Sequence, residues 1–408
     1  MKKLLKLIFP LLYLLCACTD DVSVAPNYDD MSYFIPEDSA IAISNKAITM
    51  ISNENKTRCI KKELEIKDVN LVSLSNKLKT RSGEVNNVNS SLYIINYKND
   101  KGFSIISCDK RLRPIYAVSD TGNITLADTL KNKSLALFFN GVRSDMEMVS
   151  ENSQKIDPYL LDETIYSPQV YPLIWEAPRL WGQGDPYNTY CYTKDGKKAL
   201  AGCTAVACGI VMSYYGWPQY INDKRLNWHS MKKNKIDHNI DYVFAKLGEK
   251  KLLDIYYGEK ASGAKAANFS RTFSQMGYYA PDKLKDFSES NICRLLEDTK
   301  RDGYGPLLIV GVTTDGTAGH TWVIDGYCRS VTNYERTKVL YDTNLFHCIW
   351  GWKGNNNGYF FLNNGVIGGC SNLYDKDDKK TSSPGYDFTR LQYMANFRID
   401  RNRQKVNL

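Results

Sequence analysis

The strongest constraint on the fold is an almost wholly apolar run that begins at Cys203 and stops at Gly216 and Pro218. A helix that is apolar on all sides has to lie inside a domain, so this run predicts a central, buried helix. The run places Cys203 at the helix N-terminus, where unpaired backbone N–H groups favour a thiolate over a thiol. Cys203 is therefore a candidate nucleophile, although a cysteine in this position is also a common buried hydrophobic residue.

A general base for this cysteine has to come from only four histidines. His320 follows Gly319 and opens a short apolar strand that ends at Asp325. A rigid strand position suits a general base, and a satisfied core histidine is the alternative. The remaining histidines, which we expect to be surface or structural residues, are His229, His238 and His347.

Gln183 is a candidate for binding an oxyanion. It lies between Gly182 and Gly184, which allow a close approach, and its amide can act together with the backbone N–H of Cys203. We expect no metal or other cofactor, because no Cys-x-x-Cys pair follows the N-terminal segment and the histidines are not clustered. The net charge of +8 is spread without a basic stripe, which argues against a nucleic-acid partner.

Four ordered motifs resemble the streptopain family of cysteine peptidases, which is similar in fold to papain. They are Trp181 to Asn188, Gly202 to Pro218, Gly319 to Gly326, and Trp350 to Gly354 with Asn357 to Leu362. The resemblance implies an α+β, papain-like, two-lobed peptidase domain over residues 166–399. It also implies that Cys203 is the nucleophile, His320 the base and acid, and Gln183 the oxyanion hole, with Trp350 and Trp352 shielding the histidine.

One position departs from the family pattern. The family usually has Asn directly before the first tryptophan of Trp-Gly-Trp, and this chain has Ile349 there. In a papain-like site an amide near that place orients the histidine ring. We therefore expect a backbone carbonyl, or the packing of Trp350 and Trp352, to orient His320 instead.

The N-terminal half predicts a small α+β domain over residues 36–155. A helix begins near Pro36, and strands Ser90–Tyr97, Phe103–Ser107 and Ile115–Val118 follow, then a helix from Leu130 to Met148. The segment Gly102 to Arg111 resembles the inhibitory propeptide of the streptopain family. The chain's own propeptide is thus an expected intramolecular inhibitor, removed by a cut between Ser150 and Tyr166.

The peptidase half predicts helices first and strands later. Its predicted strands are Leu307–Val310, Thr321–Asp325, Val339–Asp342 and Tyr359–Leu362, and the polar tail from Arg398 to Leu408 is expected to fray.

The first residues predict export. A basic start and a short apolar stretch end in Leu15-Cys16-Ala17-Cys18, which resembles a bacterial lipobox. The expectation is a signal peptide over residues 1–17, a lipid-modified Cys18 and a tether over residues 18–35. The protein would then be an outer-membrane or cell-surface lipoprotein, held to the membrane by its lipid anchor and released from it by processing.

Two other functions stay open at this point. One is a catalytically weakened relative that serves as a surface binding protein, which Ile349 favours. The other is an acyltransferase of the transglutaminase type, which uses the same Cys–His chemistry and needs a later aspartate, with Asp342 as the candidate. The leading hypothesis is an exported cysteine endopeptidase that acts on protein or peptide substrates.

Overall fold

The structure is a computed structural model, and only part of the chain is described by it. The described ranges are 34–52, 64–74, 91–110, 112–130, 161–279, 283–298, 305–312, 319–334, 341–362 and 390–408, with residues 135, 138–143 and 145–146. The predicted signal peptide and the lipobox-like segment with Cys18 lie outside these ranges. Within them, no helix has both the length and the apolar character that a membrane span requires.

The helices of the described residues lie in both halves of the chain. They are α1 (Glu37–Ser52), α2 (Cys203–Tyr215), α3 (Trp228–Lys233), α4 (His238–Leu247), α5 (Asn268–Gln275) and α6 (Glu289–Glu297). Short 3-10 helices span Lys98–Asp100, Leu126–Leu130 and Ala177–Leu180. Residues 135, 138–143 and 145–146 are also helical.

The strands form one large sheet and two small ones. They are β1 (Ile66–Ser73), β2 (Ser91–Tyr97), β3 (Phe103–Ser107), β4 (Ile115–Ser119), β5 (Leu161–Val170), β6 (Tyr220–Ile221), β7 (Lys224–Arg225), β8 (Tyr278–Tyr279), β9 (Lys285–Asp286), β10 (Leu307–Val312), β11 (Gly319–Tyr334), β12 (Tyr341–Ile349), β13 (Gly358–Phe361), β14 (Arg390–Met394), β15 (Arg398–Ile399) and β16 (Lys405–Val406).

The large antiparallel sheet runs through both halves of the chain. Its strand order is β1-β2-β3-β4-β13-β12-β11-β10-β14-β9, and β5 pairs with the second half of β11. The N-terminal meander joins the peptidase half where β4 pairs with β13, with Ala117 opposite Phe360 and Ser119 opposite Gly358. The N-terminal domain is therefore docked by main-chain hydrogen bonds onto an edge of the peptidase sheet.

The two faces of the sheet belong to different cores. Trp322 and Trp350 pack in the core that contains the N-terminal domain, whereas Val323 and Ile349 pack in the core that contains α2. This division follows from the alternation of side chains along a strand. Every residue of α2 from Thr204 to Ser213 is buried, so the predicted central helix is confirmed, as is the α+β class.

The predicted elements of the N-terminal domain are confirmed for α1, β2, β3 and β4. Strand β1 was missed, because Lys67 and Asp68 interrupt its apolar pattern at the sheet edge. Of the strand predicted at Val339–Asp342, Tyr341 and Asp342 lie in β12, which continues to Ile349, and the first two residues lie outside the described ranges.

The prediction of a frayed tail is wrong. Strand β15 pairs with β8 and β16 pairs with β6, and the Val406 side chain is only 2% exposed. The tail is ordered because its backbone pairs with β6 and β8 and because Val406 is buried. Its sequence is polar and lacks an apolar periodicity, so the pattern alone did not indicate this order.

Candidate active site

The start of α2 is shaped by a glycine. Gly202 caps the helix with φ of 92°, and a Cβ at this position would lie 3.2 Å from the backbone oxygen of Ser262. Both the backbone angle and the close approach require glycine. The first helical residue is then Cys203, whose side chain is half-buried. The helix ends, as predicted, at Gly216 in the left-handed conformation.

His320 opens β11 and lies opposite Gly311 of β10. Its neighbour Thr321 is on the face of the strand that meets α2, and the Thr321 backbone there lowers the pKa of the Cys203 thiol, against the larger effect of burial. The structure thus packs α2 against β11. The Cys203 thiol lies at the start of α2, and the His320 imidazole lies at the start of β11.

The imidazole of His320 is held by tryptophans. Its Nε2 atom lies 3.0 Å from the backbone oxygen of Trp350, and its ring stacks on Trp322 at an interplanar angle of 14°. The rings of Trp350 and Trp352 lie 6.3 and 5.4 Å from it, and His320 is 6% exposed. Both tryptophan rings therefore border the imidazole, and their shielding role stays a prediction.

The bond to Trp350 fixes the histidine tautomer. A carbonyl oxygen only accepts hydrogen bonds, so Nε2 carries the hydrogen in neutral His320 and Nδ1 keeps a free lone pair. Within the described ranges, neither Nδ1 nor any other ring atom of His320 hydrogen-bonds to the Cys203 sulfur. A base nitrogen is available, and it is not yet paired with the thiol.

Burial keeps both groups neutral in this state. It raises the pKa of the Cys203 thiol, and hydrogen bonds with the backbone of Thr321 and Thr204 offset only part of that rise. Burial also lowers the pKa of His320 to about 4, against the smaller opposing effect of the Trp350 carbonyl. The full-length chain therefore holds a thiol and a neutral imidazole rather than an ion pair.

The loop of Gln183 contacts the segments that carry both Cys203 and Trp352. The backbone oxygen of Gln183 accepts the Ala201 N–H at 2.8 Å, two residues before Cys203. On its other side, Gly182 forms a β-bridge with Trp352. The Gln183 loop is thus tied both to the segment that leads into the nucleophile and to the tryptophans around the histidine. Its side chain is half-buried.

Ile349 does not take the place of an orienting amide. Its side chain is fully buried in the α2 core, opposite Val323, while His320 stacks on the other face of the strand. The expected backbone carbonyl is present instead, from Trp350.

Asp342 is remote from the histidine. It pairs with Val331 of β11, and 331 − 320 = 11 residues at about 3.3 Å each place it roughly 36 Å along the strand from His320. Asp342 is therefore not the third member of this site.

Asn357 was missed as a site residue, although it stands within a recognised motif. Its side chain is 4% exposed and bridges the Trp350 N–H and the Arg179 carbonyl. The sequence feature that could have identified Asn357 is its position as a polar residue directly before Gly358, at the start of an apolar strand.

A second buried histidine has a structural role. His347 Nδ1 lies 2.6 Å from Asp325, whose other carboxylate oxygen accepts the Ile174 N–H. This pair anchors the segment that enters the peptidase half and stays away from the Cys203 site in the described contacts. Among the cysteines that the structure describes, Cys191, Cys203, Cys208 and Cys348 are free thiols.

Comparisons with known proteins agree with this organisation. Residues 181–360 match the Peptidase C10 family, and residues 32–146 match the Spi protease inhibitor family. The chain is 24% identical over 323 residues to streptopain from Streptococcus pyogenes, covering 67% of this chain and 74% of streptopain. It is 24% identical over 315 residues to the thiol protease/hemagglutinin PrtT from Porphyromonas gingivalis, covering 66% of this chain and 34% of that protein.

Among solved structures, a fragment of prointerpain A from Prevotella intermedia matches with a TM-score of 0.47 and 21% identity, covering 80% of this chain and 98% of the fragment. The two family matches lie in different parts of the chain, the protease inhibitors at residues 32–146 and the peptidases at residues 181–360. The chain is a cysteine protease with a Peptidase C10, or streptopain-family, domain and a Spi-type inhibitor domain ahead of it.

Proposed function

We propose that the protein is an exported cysteine endopeptidase, made as a zymogen, in which Cys203 is the nucleophile and His320 the general base and acid. The observation that carries this proposal is that α2, which begins at Cys203, packs against β11, which begins at Gly319 and His320. This packing brings the helix that starts with Cys203 against the strand that carries His320.

The reaction follows from the tautomer. The Cys203 thiol gives its proton to Nδ1 of His320, and the thiolate attacks the carbonyl carbon of a substrate peptide bond. The Gln183 amide and the Cys203 backbone N–H stabilise the resulting oxyanion. His320 then gives its proton to the leaving amine, and a water molecule, deprotonated by His320, hydrolyses the thioester and restores the thiol.

The aromatic rings around His320 have two consequences for this reaction. Trp350 and Trp352 keep water from the imidazole, which strengthens its electrostatic interaction with the thiolate once the pair has formed. The Trp350 carbonyl keeps Nε2 protonated, which leaves Nδ1 as the base throughout the cycle.

The N-terminal domain is proposed to keep the enzyme latent. Phe103 and Phe138 make edge contacts with Phe360 of β13, and the Phe360 ring in turn contacts Trp350. The domain is thus packed against the aromatic group that surrounds His320. Because it is part of the same chain, it acts at a high effective concentration, and a modest affinity is enough.

Maturation is proposed to cut the chain between Ser150 and Tyr166. Residues from Leu161 onward form β5 and pair with β11, so we expect the cut to fall before Leu161 and to leave β5 in the mature sheet. Cys203→Ala and wild-type protein are expressed side by side. Wild type should shorten while the variant stays full-length and is cut when active enzyme is added. A precursor that hydrolyses peptides as fast as the shortened form would show that the N-terminal domain is a spacer.

Export is proposed to end in lipid modification of Cys18. The support is the Leu15-Cys16-Ala17-Cys18 sequence after a basic, apolar start. Wild-type protein should partition into a detergent phase, and Cys18→Ala should be released as soluble protein. A Cys18→Ala variant that remains on the membrane would point to a different anchor.

The surface binding protein remains the alternative function. A thiol-directed peptidyl probe distinguishes the two hypotheses, because only an activated thiol is labelled at neutral pH. Processed wild-type protein should be labelled at Cys203, and His320→Ala should abolish labelling while Cys191→Ala leaves it unchanged. Labelling that is independent of His320 would overturn the proposed dyad.

A further inference from the structure

The buried side chain of Asn357 bonds to two different segments of the site. Its Oδ1 atom accepts the backbone N–H of Trp350 at 3.1 Å, and its Nδ2 atom donates to the backbone oxygen of Arg179 at 2.8 Å. Trp350 carries the carbonyl bonded to His320, and Arg179 precedes the loop of Gln183. One buried amide therefore joins the histidine side of the site to the oxyanion side.

The bonds form a short chain that ends on the histidine ring. The Asn357 side chain holds the Trp350 N–H, and the Trp350 carbonyl accepts the Nε2 hydrogen of His320. The position of a carbonyl acceptor depends on the orientation of the backbone that bears it. This backbone is flanked by Gly351, whose φ of 77° makes it easy to distort, so a side-chain anchor is needed.

We propose that Asn357 is a positioning residue for His320: its amide fixes the Trp350 backbone, and the Trp350 carbonyl fixes the ring. This inference rests on the proposed function, because it assigns a role to Asn357 only if Cys203 and His320 do the chemistry. The Ile349 side chain has no hydrogen-bonding group and cannot orient the His320 ring. Asn357, which follows the Trp-Gly-Trp segment, orients the ring through the Trp350 backbone instead.

The same residue connects the site to the N-terminal domain. The hydroxyl of Ser119 lies 2.6 Å from the backbone oxygen of Asn357, and the Thr121 hydroxyl donates to Gly354 at 2.8 Å. The inhibitor domain thus binds the loop that contains Asn357, the residue proposed to orient His320. Release of the inhibitor domain would remove these two hydrogen bonds from the loop.

The test uses three variants of the full chain, each converted to its mature form by a small amount of tagged wild-type enzyme that is then removed. Asn357→Asp keeps an acceptor for the Trp350 N–H. Asn357→Leu keeps the volume and loses both hydrogen bonds. Asn355→Ala is the matched control, since Asn355 is exposed and precedes Asn357 in the same loop. Steady-state kinetics and the pH dependence of Cys203 alkylation by iodoacetamide are measured.

We expect Asn357→Leu to lower kcat by about tenfold or more, with KM within about threefold of wild type, since ring orientation acts on the chemical step. We expect its alkylation midpoint to rise by about one pH unit, because a misaligned imidazole stabilises the thiolate less. Asn357→Asp should retain most of kcat and Asn355→Ala all of it.

The outcomes separate the inference from the proposed function. If Asn357→Leu keeps wild-type kcat, or if the Asp and Leu substitutions lower it equally, Asn357 is not a positioning residue. If Asn357→Leu fails to fold, the same alkylation experiment is done on Asn357→Ser. A pH midpoint of Cys203 alkylation equal to that of wild type overturns the inference. If Cys203→Ala or His320→Ala still hydrolyses peptides, the proposed function itself fails, whatever the Asn357 variants do.

Discussion

The Nε2 atom of His320 lies 3.0 Å from the backbone oxygen of Trp350. A main-chain acceptor thus orients the imidazole in a chain that has isoleucine where the streptopain family usually has asparagine. Because a carbonyl belongs to every residue type, the histidine can be oriented without any recognisable side chain at that position. The departure at Ile349 therefore does not argue for a binding protein in place of an enzyme.

The first prediction concerns Ile349→Asn. Ile349 is fully buried against the α2 core, so an amide there would lack a partner and a large apolar contact would be lost. We expect a loss of about 3 kcal/mol in the free energy of unfolding and no gain in kcat. Ile349→Val, which removes one methylene group, should cost only about 1 kcal/mol. Urea denaturation and kinetics check this, and an asparagine variant with higher kcat and unchanged stability would contradict it.

The second prediction concerns pH and the stability of the full-length chain. Folding lowers the pKa of His320 from 6.5 to about 4, so the unfolded chain binds more protons between these values. The contribution of neutral, buried His320 to the free energy of unfolding is complete above pH 6.5. It is lost as the pH falls toward 4, and the loss is about 3 kcal/mol at most. His320→Gln keeps a donor for the Trp350 carbonyl and cannot titrate.

The measurement is denaturant unfolding at several pH values of two proteins, one with His320 intact and one with His320→Gln, each also carrying Cys203→Ala to prevent processing. The stability advantage of the protein with His320 intact should shrink on acidification across this window. A difference that stays constant with pH would show that His320 is not buried in its neutral form.

The third prediction concerns the turn into α2. Gly202→Ala adds a Cβ 3.2 Å from the Ser262 oxygen at a φ of 92°, so the backbone before Cys203 must shift. We expect a loss of activity of at least about tenfold and about 1–3 kcal/mol of stability. Gly196→Ala is the matched control, because Gly196 also has a positive φ, of 79°, and faces open space. Equal activity losses in the two variants would mean that the Ser262 contact is irrelevant to the nucleophile.

The fourth prediction concerns latency. Ser119→Ala removes the hydroxyl that lies 2.6 Å from the Asn357 oxygen and leaves a buried carbonyl without that partner. We expect a weaker hold of the N-terminal domain, by about 1 kcal/mol, and self-processing about fivefold faster than wild type. Thr125→Val, on an exposed turn of the same domain, is the control. Self-processing rates are followed by gel electrophoresis, and unchanged rates for Ser119→Ala would rule out this contact as part of the inhibition.

The sequence predicts much of the peptidase half because its signals are local. An apolar run that ends in Gly216 specifies a buried helix, and a glycine-flanked histidine before Trp322 specifies a strand start. The strands of the N-terminal meander are also predicted from the sequence, because turn residues separate its short apolar segments. The same local reasoning missed β5 and misjudged the tail, because those segments are held by partners distant in the sequence.

By itself, the sequence determined that Cys203 starts a central helix, that His320 starts a strand, and that an α+β domain precedes the peptidase. Only the tertiary structure decided that β4 joins β13, that the Trp350 carbonyl orients His320, and that Asn357 holds Trp350. Backbone carbonyls are the same in every residue, and their partners depend on how distant strands and loops come together. No pattern of side chains along the chain encodes such a contact, which is why it emerges only from the fold.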